Sequence, residues 1–412
     1  MSIAKSNKAS YVDDAMAERL KPWPSTKWRA VLITLMYAAP LLIITFLNAA
    51  MGSFLPNSAN PNAVLMANAI HFSKTGGVAG LFLMFPSVSL GIAGLASLAG
   101  SAGLLVLGIF GSLVSAVLLV EISELLRQKK ISLSVRILLM ATLLANPVIY
   151  YNTLFDISEL LAIAFFGLAL MHMIRFAQWG STYSGFIAGL LFAASILTRF
   201  DSITLVAVAI FSLFGFRLIY RGHKGSIAGI ITVLLYPTAL AIVTIAVISF
   251  ALHHDITYFL QPMLHPVNTD YLTDKLNPNY SPYLNVPLVQ NFHVVNLNGF
   301  SVITLFLPVL FLLGTTNNLK ARLWAFASGI ILVIAQIFIN TPNTYLMPAG
   351  GLFLLMTTLG IVLAAEKRNK IQLGFLVGSA IVEIIIGWVV ALTRPETVTL
   401  WIHTSLVFLH LA

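Results

Sequence analysis

Residues 103–126 read GLLVLGIFGSLVSAVLLVEISELL, and this stretch decides the fold class. It contains no charged side chain before Glu121. A helix needs about 20 predominantly apolar residues to cross the hydrocarbon core of a bilayer. Because lipid offers no hydrogen bonds to the backbone, an apolar run of this length predicts a membrane-spanning helix.

Similar runs recur along most of the chain. Of its 412 residues 58% are hydrophobic and 9% charged, whereas soluble domains carry roughly 25% charged residues. This composition excludes a soluble enzyme and predicts an all-α fold, a polytopic transmembrane helical bundle of about 12 spans. The predicted spans are 30–50, 103–126, 137–155, 158–174, 183–198, 202–219, 226–252, 300–316, 323–340, 345–365, 371–392 and 398–412.

The expected organisation is a cytoplasmic N-terminal tail, 1–28, and a single transmembrane domain, 29–412. Two outer segments, 51–102 and 253–299, are longer than ordinary connections and are candidates for function. Within the first, a proline and several glycines interrupt the apolar run 79–98. We therefore expect a juxtamembrane or re-entrant segment there instead of a full span.

The distribution of basic residues supports this topology. With 79–98 not counted as a span, 19 of the 23 Lys and Arg residues fall on the cytoplasmic side, as the positive-inside rule expects. The outer exceptions are Lys74, Arg199, Lys275 and Arg394. The net charge of +9 is thus explained by topology, and we expect no nucleic-acid partner.

Two carboxylates stand where one predicted span ends and the next begins. Asp156 and Glu159 are three residues apart, so they share a face if a helix begins there. Such a pair could act in catalysis and bind a divalent cation, Mg²⁺ or Mn²⁺, which would neutralise a phosphate. Alternatively, Asp156 caps the helix, with Glu159 completing a capping box.

The next outer turn, 197–202, contains both a cation and an anion. Arg199 is suited to bidentate recognition of phosphate, and Asp201 lies two residues further on. We predict both as substrate-binding residues. The alternative is an Arg199–Asp201 ion pair that caps the next helix, or an arginine that reaches lipid headgroups.

In their order, these segments resemble the GT-C superfamily of polytopic glycosyltransferases. The resemblance covers about residues 28–220. It rests on four stretches: Phe85-Pro86-Ser87 with the Gly-rich 91–100, Asn146-Pro147, Asp156 to Glu159, and Leu197-Thr198-Arg199. It implies hexosyl or pentosyl transfer from a polyprenyl-phosphate sugar to an outer-face acceptor. From the charge distribution we expect the N-terminus in the cytoplasm, and we expect the location to be a prokaryotic plasma membrane.

The first outer loop departs from that superfamily, whose corresponding loop offers an Asp or Asp-Glu as base or metal ligand. Residues 51–102 contain no carboxylate. Asn60 and Asn62 occupy the expected acidic position and are predicted to bind substrate, although an amide cannot accept the acceptor's proton. His71 is the candidate base in this loop, with a surface histidine as the alternative.

Other candidates for the missing base are His254 and Asp255, if the second long loop folds back. The acid-free first loop also favours a different class of function: a non-catalytic GT-C-like subunit of a membrane assembly, with other membrane proteins as partners. A transporter would instead show repeats and paired half-helices near the bilayer midplane, for which the sequence gives little support.

Overall fold

The computed structural model describes most of the N-terminal 256 residues. The described residues are 27–50, 60–83, 87–128, 132–144, 152–179, 182–199, 202–203, 205–207, 209–210 and 227–256, with the single positions 378, 381 and 385. Throughout these ranges the chain is helical or forms turns, without a strand. The predicted all-α class is confirmed.

In the described part of the chain, eight α-helices have defined bounds: α1 Lys27–Ala50, α2 Pro61–Leu83, α3 Ser87–Ser97, α4 Gly103–Gln128, α5 Leu133–Leu144, α6 Ile157–Trp179, α7 Thr182–Thr198 and α8 Ile227–His253. Helix α2 is kinked at Gly77, which has a φ of 63°. Residues 152–155 form a short helical turn before α6. In the described part, three segments are long and apolar enough to cross a membrane: Val31–Ala50, Gly100–Glu124 and Thr232–Ala251. These segments indicate an integral membrane protein.

Helices α4 and α6 run side by side in the same direction. Near its start α6 packs against α4, since a Cβ added to Gly111 would contact the Leu160 side chain at 3.4 Å. Near its end, Arg175 donates a hydrogen bond to Glu121. Helix α1 runs antiparallel to α4, with the hydroxyl of Thr45 2.9 Å from that of Ser112.

Helix α7 returns antiparallel to α6. The Ser195 hydroxyl near its end bonds the Ala162 carbonyl near the start of α6. Helix α8 then packs closely against α7, because Gly189 has no side chain: a Cβ there would lie 2.7 Å from the Leu234 carbonyl oxygen. As a result, α6 begins and α7 ends at the same end of the bundle, which we call the site end.

Two helices between residues 61 and 97 cover the site end. We call α2 and α3 the cover. At 11 residues, α3 is about 16 Å long and too short to span a bilayer. Ala96 at its C-terminal part packs with Leu107 and Ile157, while the Ser89 hydroxyl at its other end donates to the Thr198 carbonyl. Helix α3 thus extends across α6, from α4 to the end of α7.

The rest of the predicted topology lies outside the described residues. This applies to the tail 1–26, to Asp201 and to the predicted spans 300–316, 323–340, 345–365 and 398–412. Of the predicted span 371–392, the three described positions are helical.

Candidate functional site

Asp156 is the N-terminal cap of α6. Its backbone N–H bonds the Asn152 carbonyl at 3.2 Å, and its own carbonyl accepts the Leu160 N–H at 3.0 Å. Its side-chain Oδ1 accepts the Glu159 N–H at 3.1 Å. This bond satisfies one of the N–H groups that a helix start leaves without an intrahelical acceptor. The capping interpretation of Asp156 is therefore confirmed.

Asn62 ties the cover to the same turn. Its Oδ1 accepts the Ile157 N–H at 2.9 Å, and its Nδ2 donates to the Leu154 carbonyl at 3.2 Å. The side chain is buried, so water does not compete for these bonds. The amide predicted to bind substrate thus forms two structural hydrogen bonds, each to a residue more than 90 positions away in the sequence.

Glu159 and Arg199 form an ion pair at the site end. The distance from Arg199 Nη1 to Glu159 Oε2 is 3.7 Å. The glutamate side chain is 2% exposed and that of the arginine 20%. The carboxylate is therefore an internal counter-charge, whereas part of the guanidinium reaches the surface. Glu159 does not form the second half of a capping box, because the Asp156 N–H bonds a backbone carbonyl instead.

Two hydroxyl groups meet the end of α7 beside this pair. The Ser89 and Ser158 hydroxyls are 3.0 Å apart, and each donates to the Thr198 carbonyl at 3.4 Å. Thr198 is the residue before Arg199, so these contacts connect α3, α6 and the arginine turn. Both serines were missed by the sequence reasoning, because isolated serines in apolar runs carry no local signal.

Helix termini of both signs meet at the site end. The N-terminal residues of α2, α3 and α6 are linked to this region through Asn62, Ser89 and Ser158, and the C-terminal Thr198 carbonyl of α7 lies beside them. Each N-terminus carries roughly half a positive elementary charge and each C-terminus roughly half a negative one. The N-termini and Arg199 favour an anion, whereas the end of α7 and Glu159 supply the opposing charge. Arg199 is the part of this arrangement that can donate hydrogen bonds to a phosphate.

Among the described residues near the site, buried polar atoms without a hydrogen-bond partner include the Asn60 Nδ2, both amide atoms of Asn152 and the Ser202 Oγ. Asn60 also caps α2, since its Oδ1 accepts the Asn62 N–H at 3.0 Å. Buried polar groups in native structures are nearly always hydrogen-bonded, to protein or to ordered water, so these atoms offer bonding capacity to a water or a ligand.

His71 is an exposed residue of α2, nine positions after Asn62 and therefore about 14 Å further along the helix. Its ring lies edge-on to that of Phe72, with centroids 5.6 Å apart. Phe72 packs against the cluster of Ala69, Leu90 and Ala93, through which α2 contacts α3.

The remaining predicted residues contribute less to the described geometry. Asp201 lies outside the described residues. His254 and Asp255 follow the end of α8, where His254 has a left-handed φ of 55°. In the described ranges, no group of three or more Asp, Glu or His side chains is placed to hold a metal ion. The proposed Asp156–Glu159 metal pair stays a prediction, and a cation there would compete with the cap and with Arg199.

The opposite end of the bundle contains a second set of ion pairs. Arg127 binds both carboxylate oxygens of Glu124, at 2.7 and 2.8 Å. Arg175 bonds Glu121 at 3.1 Å, with side chains 15% and 34% exposed. The Glu121–Arg175 pair therefore resembles Glu159–Arg199 in composition but lies some 24 Å away along α6.

Comparisons of the chain with protein-family models, with curated proteins and with solved structures found no match.

Proposed function

We propose that the chain is a GT-C-like membrane glycosyltransferase. It transfers a sugar from a polyprenyl-phosphate donor to an acceptor at the outer face of a prokaryotic plasma membrane, with its N-terminus in the cytoplasm and about 12 spans in all. The observation that carries the proposal is the partly exposed guanidinium of Arg199, held by buried Glu159 where three helix N-termini converge.

The chemistry assigns Arg199 to the phosphate. In the transfer, an acceptor hydroxyl attacks the anomeric carbon of the sugar and the bond from that carbon to the phosphate oxygen breaks. The polyprenyl phosphate leaves with an additional negative charge. A guanidinium positioned in advance stabilises that charge more in the transition state than in the ground state, which lowers the barrier.

The acceptor's proton needs a base. Asp156 Oδ1 already caps α6, and Glu159 is the counter-charge of Arg199. His71 is exposed on the cover and carries an imidazole, the side chain that most often serves as a general base. We therefore assign the proton to His71. Asp156 and Glu159 act by positioning the start of α6 and the guanidinium, and a divalent cation would add a further charge at the phosphate.

The test is a turnover assay in nanodiscs with a panel of polyprenyl-phosphate hexoses and pentoses. The informative variant is the double substitution Glu159→Gln with Arg199→Gln, which removes both charges together and leaves no buried charge unpaired. The matched control is Glu121→Gln with Arg175→Gln at the other end of α6.

We expect the first variant to lose turnover by at least about a hundredfold and the control to retain it, because the charge lost is the one that faces the phosphate. His71→Ala should lower kcat more than it raises KM. Equal turnover in both double variants would refute the role of Arg199.

A second candidate function is a non-catalytic GT-C-like subunit of a membrane complex. Asn62 and Asp156 are engaged in structural bonds, and the cover contains no carboxylate, which favours this reading. It predicts that the parent protein binds polyprenyl phosphate but turns over no donor in the panel, and that it co-purifies with a membrane protein partner.

A further inference from the structure

Arg136 lies in the first turn of α5, at the end of the bundle opposite the site end. Its backbone N–H bonds the Ser132 carbonyl at 3.1 Å, so α5 begins directly after Ser132. Met140, one turn later, is buried in the same core cluster as Leu126 at the end of α4. Helix α5 is therefore packed against α4, and Arg136 is partly buried where this contact begins.

Arg136 differs from the other arginines whose side chains the structure describes. Those three form ion pairs: Arg127 with Glu124, Arg175 with Glu121 and Arg199 with Glu159. Arg136 forms no ion pair with a described carboxylate, and its buried Nε has no hydrogen-bond partner in the described part of the chain.

The positive charge of Arg136 calls for an anion. An ordered water would satisfy the Nε N–H but would not neutralise the charge. The start of α5 adds roughly half a positive elementary charge at the same place. In the sequence, the segment 127–136 contains four basic residues and no acidic one. A partly buried cation in such surroundings is costly without a counter-charge, so this end of α5 favours an anionic ligand.

Apolar side chains are exposed beside this cation. Leu133, Ile137 and Leu138 are 61%, 57% and 47% exposed. Leu133 precedes Arg136 by three positions and is therefore its neighbour on the helix surface. The span predicted from the sequence begins at residue 137, so these side chains lie where α5 enters the membrane. A cation next to an exposed apolar surface at this depth matches a ligand with an anionic head and an acyl chain.

We propose that Arg136 binds the phosphate of an anionic phospholipid in the cytoplasmic leaflet, with an acyl chain on Leu133 and Ile137. The planar guanidinium donates parallel hydrogen bonds to phosphate oxygens, and the leaflet supplies anionic lipid at high local concentration. This site does not depend on sugar transfer at Arg199, which lies at the other end of the bundle.

The test is native mass spectrometry of the protein in detergent with equal amounts of phosphatidylglycerol and phosphatidylcholine, which differ in net charge. The variant is Arg136→Gln. The matched control is Lys74→Gln, which removes one positive charge from an exposed position of α2. The Glu159→Gln/Arg199→Gln variant is measured in parallel, so that a lipid held at the proposed phosphate site is recognised.

The parent should retain phosphatidylglycerol about fivefold more readily than phosphatidylcholine, as one basic side chain at a membrane surface gives. Arg136→Gln should lose this preference, while Lys74→Gln and Glu159→Gln/Arg199→Gln should keep it. In lipid-free detergent, Arg136→Gln should melt at or above the temperature of the parent, because a cation without a counter-charge has been removed. Excess glycerol phosphate, the soluble headgroup, should not displace the lipid.

The inference fails if Arg136→Gln keeps the preference, or if Lys74→Gln loses it equally, since net charge alone would then explain the binding. It also fails if Arg136→Gln melts below the parent without lipid, because the arginine would then have a partner within the protein. Displacement by glycerol phosphate would identify a soluble anion as the ligand. Loss of the preference in Glu159→Gln/Arg199→Gln would place the lipid at Arg199 instead.

Discussion

Replacing Asn62 by alanine should loosen the attachment of the cover to the helix bundle. The substitution removes the bonds to the Ile157 N–H and the Leu154 carbonyl, of 2.9 and 3.2 Å. Both backbone partners belong to residues that are at most 1% exposed, so water cannot replace the lost amide. Leaving a buried donor or acceptor unsatisfied costs about 1 to 3 kcal/mol each.

We therefore expect Asn62→Ala to lower the free energy of unfolding by about 2 to 4 kcal/mol. The matched control is Asn68→Ala, the same change one and a half turns further along α2 at a half-buried position. It should alter stability by less than about 0.5 kcal/mol.

The assay is thermal unfolding of the two purified variants and the parent in the same detergent, together with hydrogen exchange of α2. Asn62→Ala should melt several degrees below the control and exchange faster within α2. If the two variants melt together, Asn62 does not hold the cover, and the argument from its hydrogen bonds is wrong.

Three further predictions follow from local geometry. Asp156→Ala should lower the unfolding free energy by about 1 kcal/mol through loss of the α6 cap, and an unchanged melting curve would contradict the cap. Gly189→Leu should separate α7 from α8, because a Cβ there would lie 2.7 Å from the Leu234 carbonyl oxygen. The yield of folded protein in size-exclusion chromatography should therefore fall, and a normal yield would refute the close contact. The chain has no cysteine, so an impermeant maleimide applied to intact cells should label Ser101→Cys at the site end and not Ser134→Cys; the reverse pattern would invert the proposed topology.

The helices could be predicted from sequence where an apolar run has clear ends. The predicted spans 30–50, 103–126 and 226–252 correspond to α1, α4 and α8 within a few residues, because polar or charged residues mark their limits. The helix α2 was not predicted. Its asparagines, histidine and lysine interrupt the apolar pattern that would predict a helix. The helix is buried through its contact with α3, which the sequence of α2 alone does not predict.

The residues of the site could be predicted only in part. The spacing of Asp156 and Glu159 correctly suggested a helix start. Arg199 was recognised as a candidate because it is one of the four basic residues that do not fall on the predicted cytoplasmic side. Their partners could not be derived, since the pairing of Glu159 with Arg199 and the bonds from Asn62 join segments far apart in the chain. Such contacts depend on tertiary packing, which local spacing does not encode. The burial of the Asn152 side chain likewise depends on its tertiary surroundings and could not be derived from the sequence.

Native mass spectrometry of the protein with polyprenyl phosphate tests whether Arg199 holds a lipid phosphate. We predict that the parent and the Glu121→Gln/Arg175→Gln variant retain one lipid phosphate, while the Glu159→Gln/Arg199→Gln variant loses it at least tenfold more readily. Equal retention by all three proteins would contradict a phosphate site at Arg199.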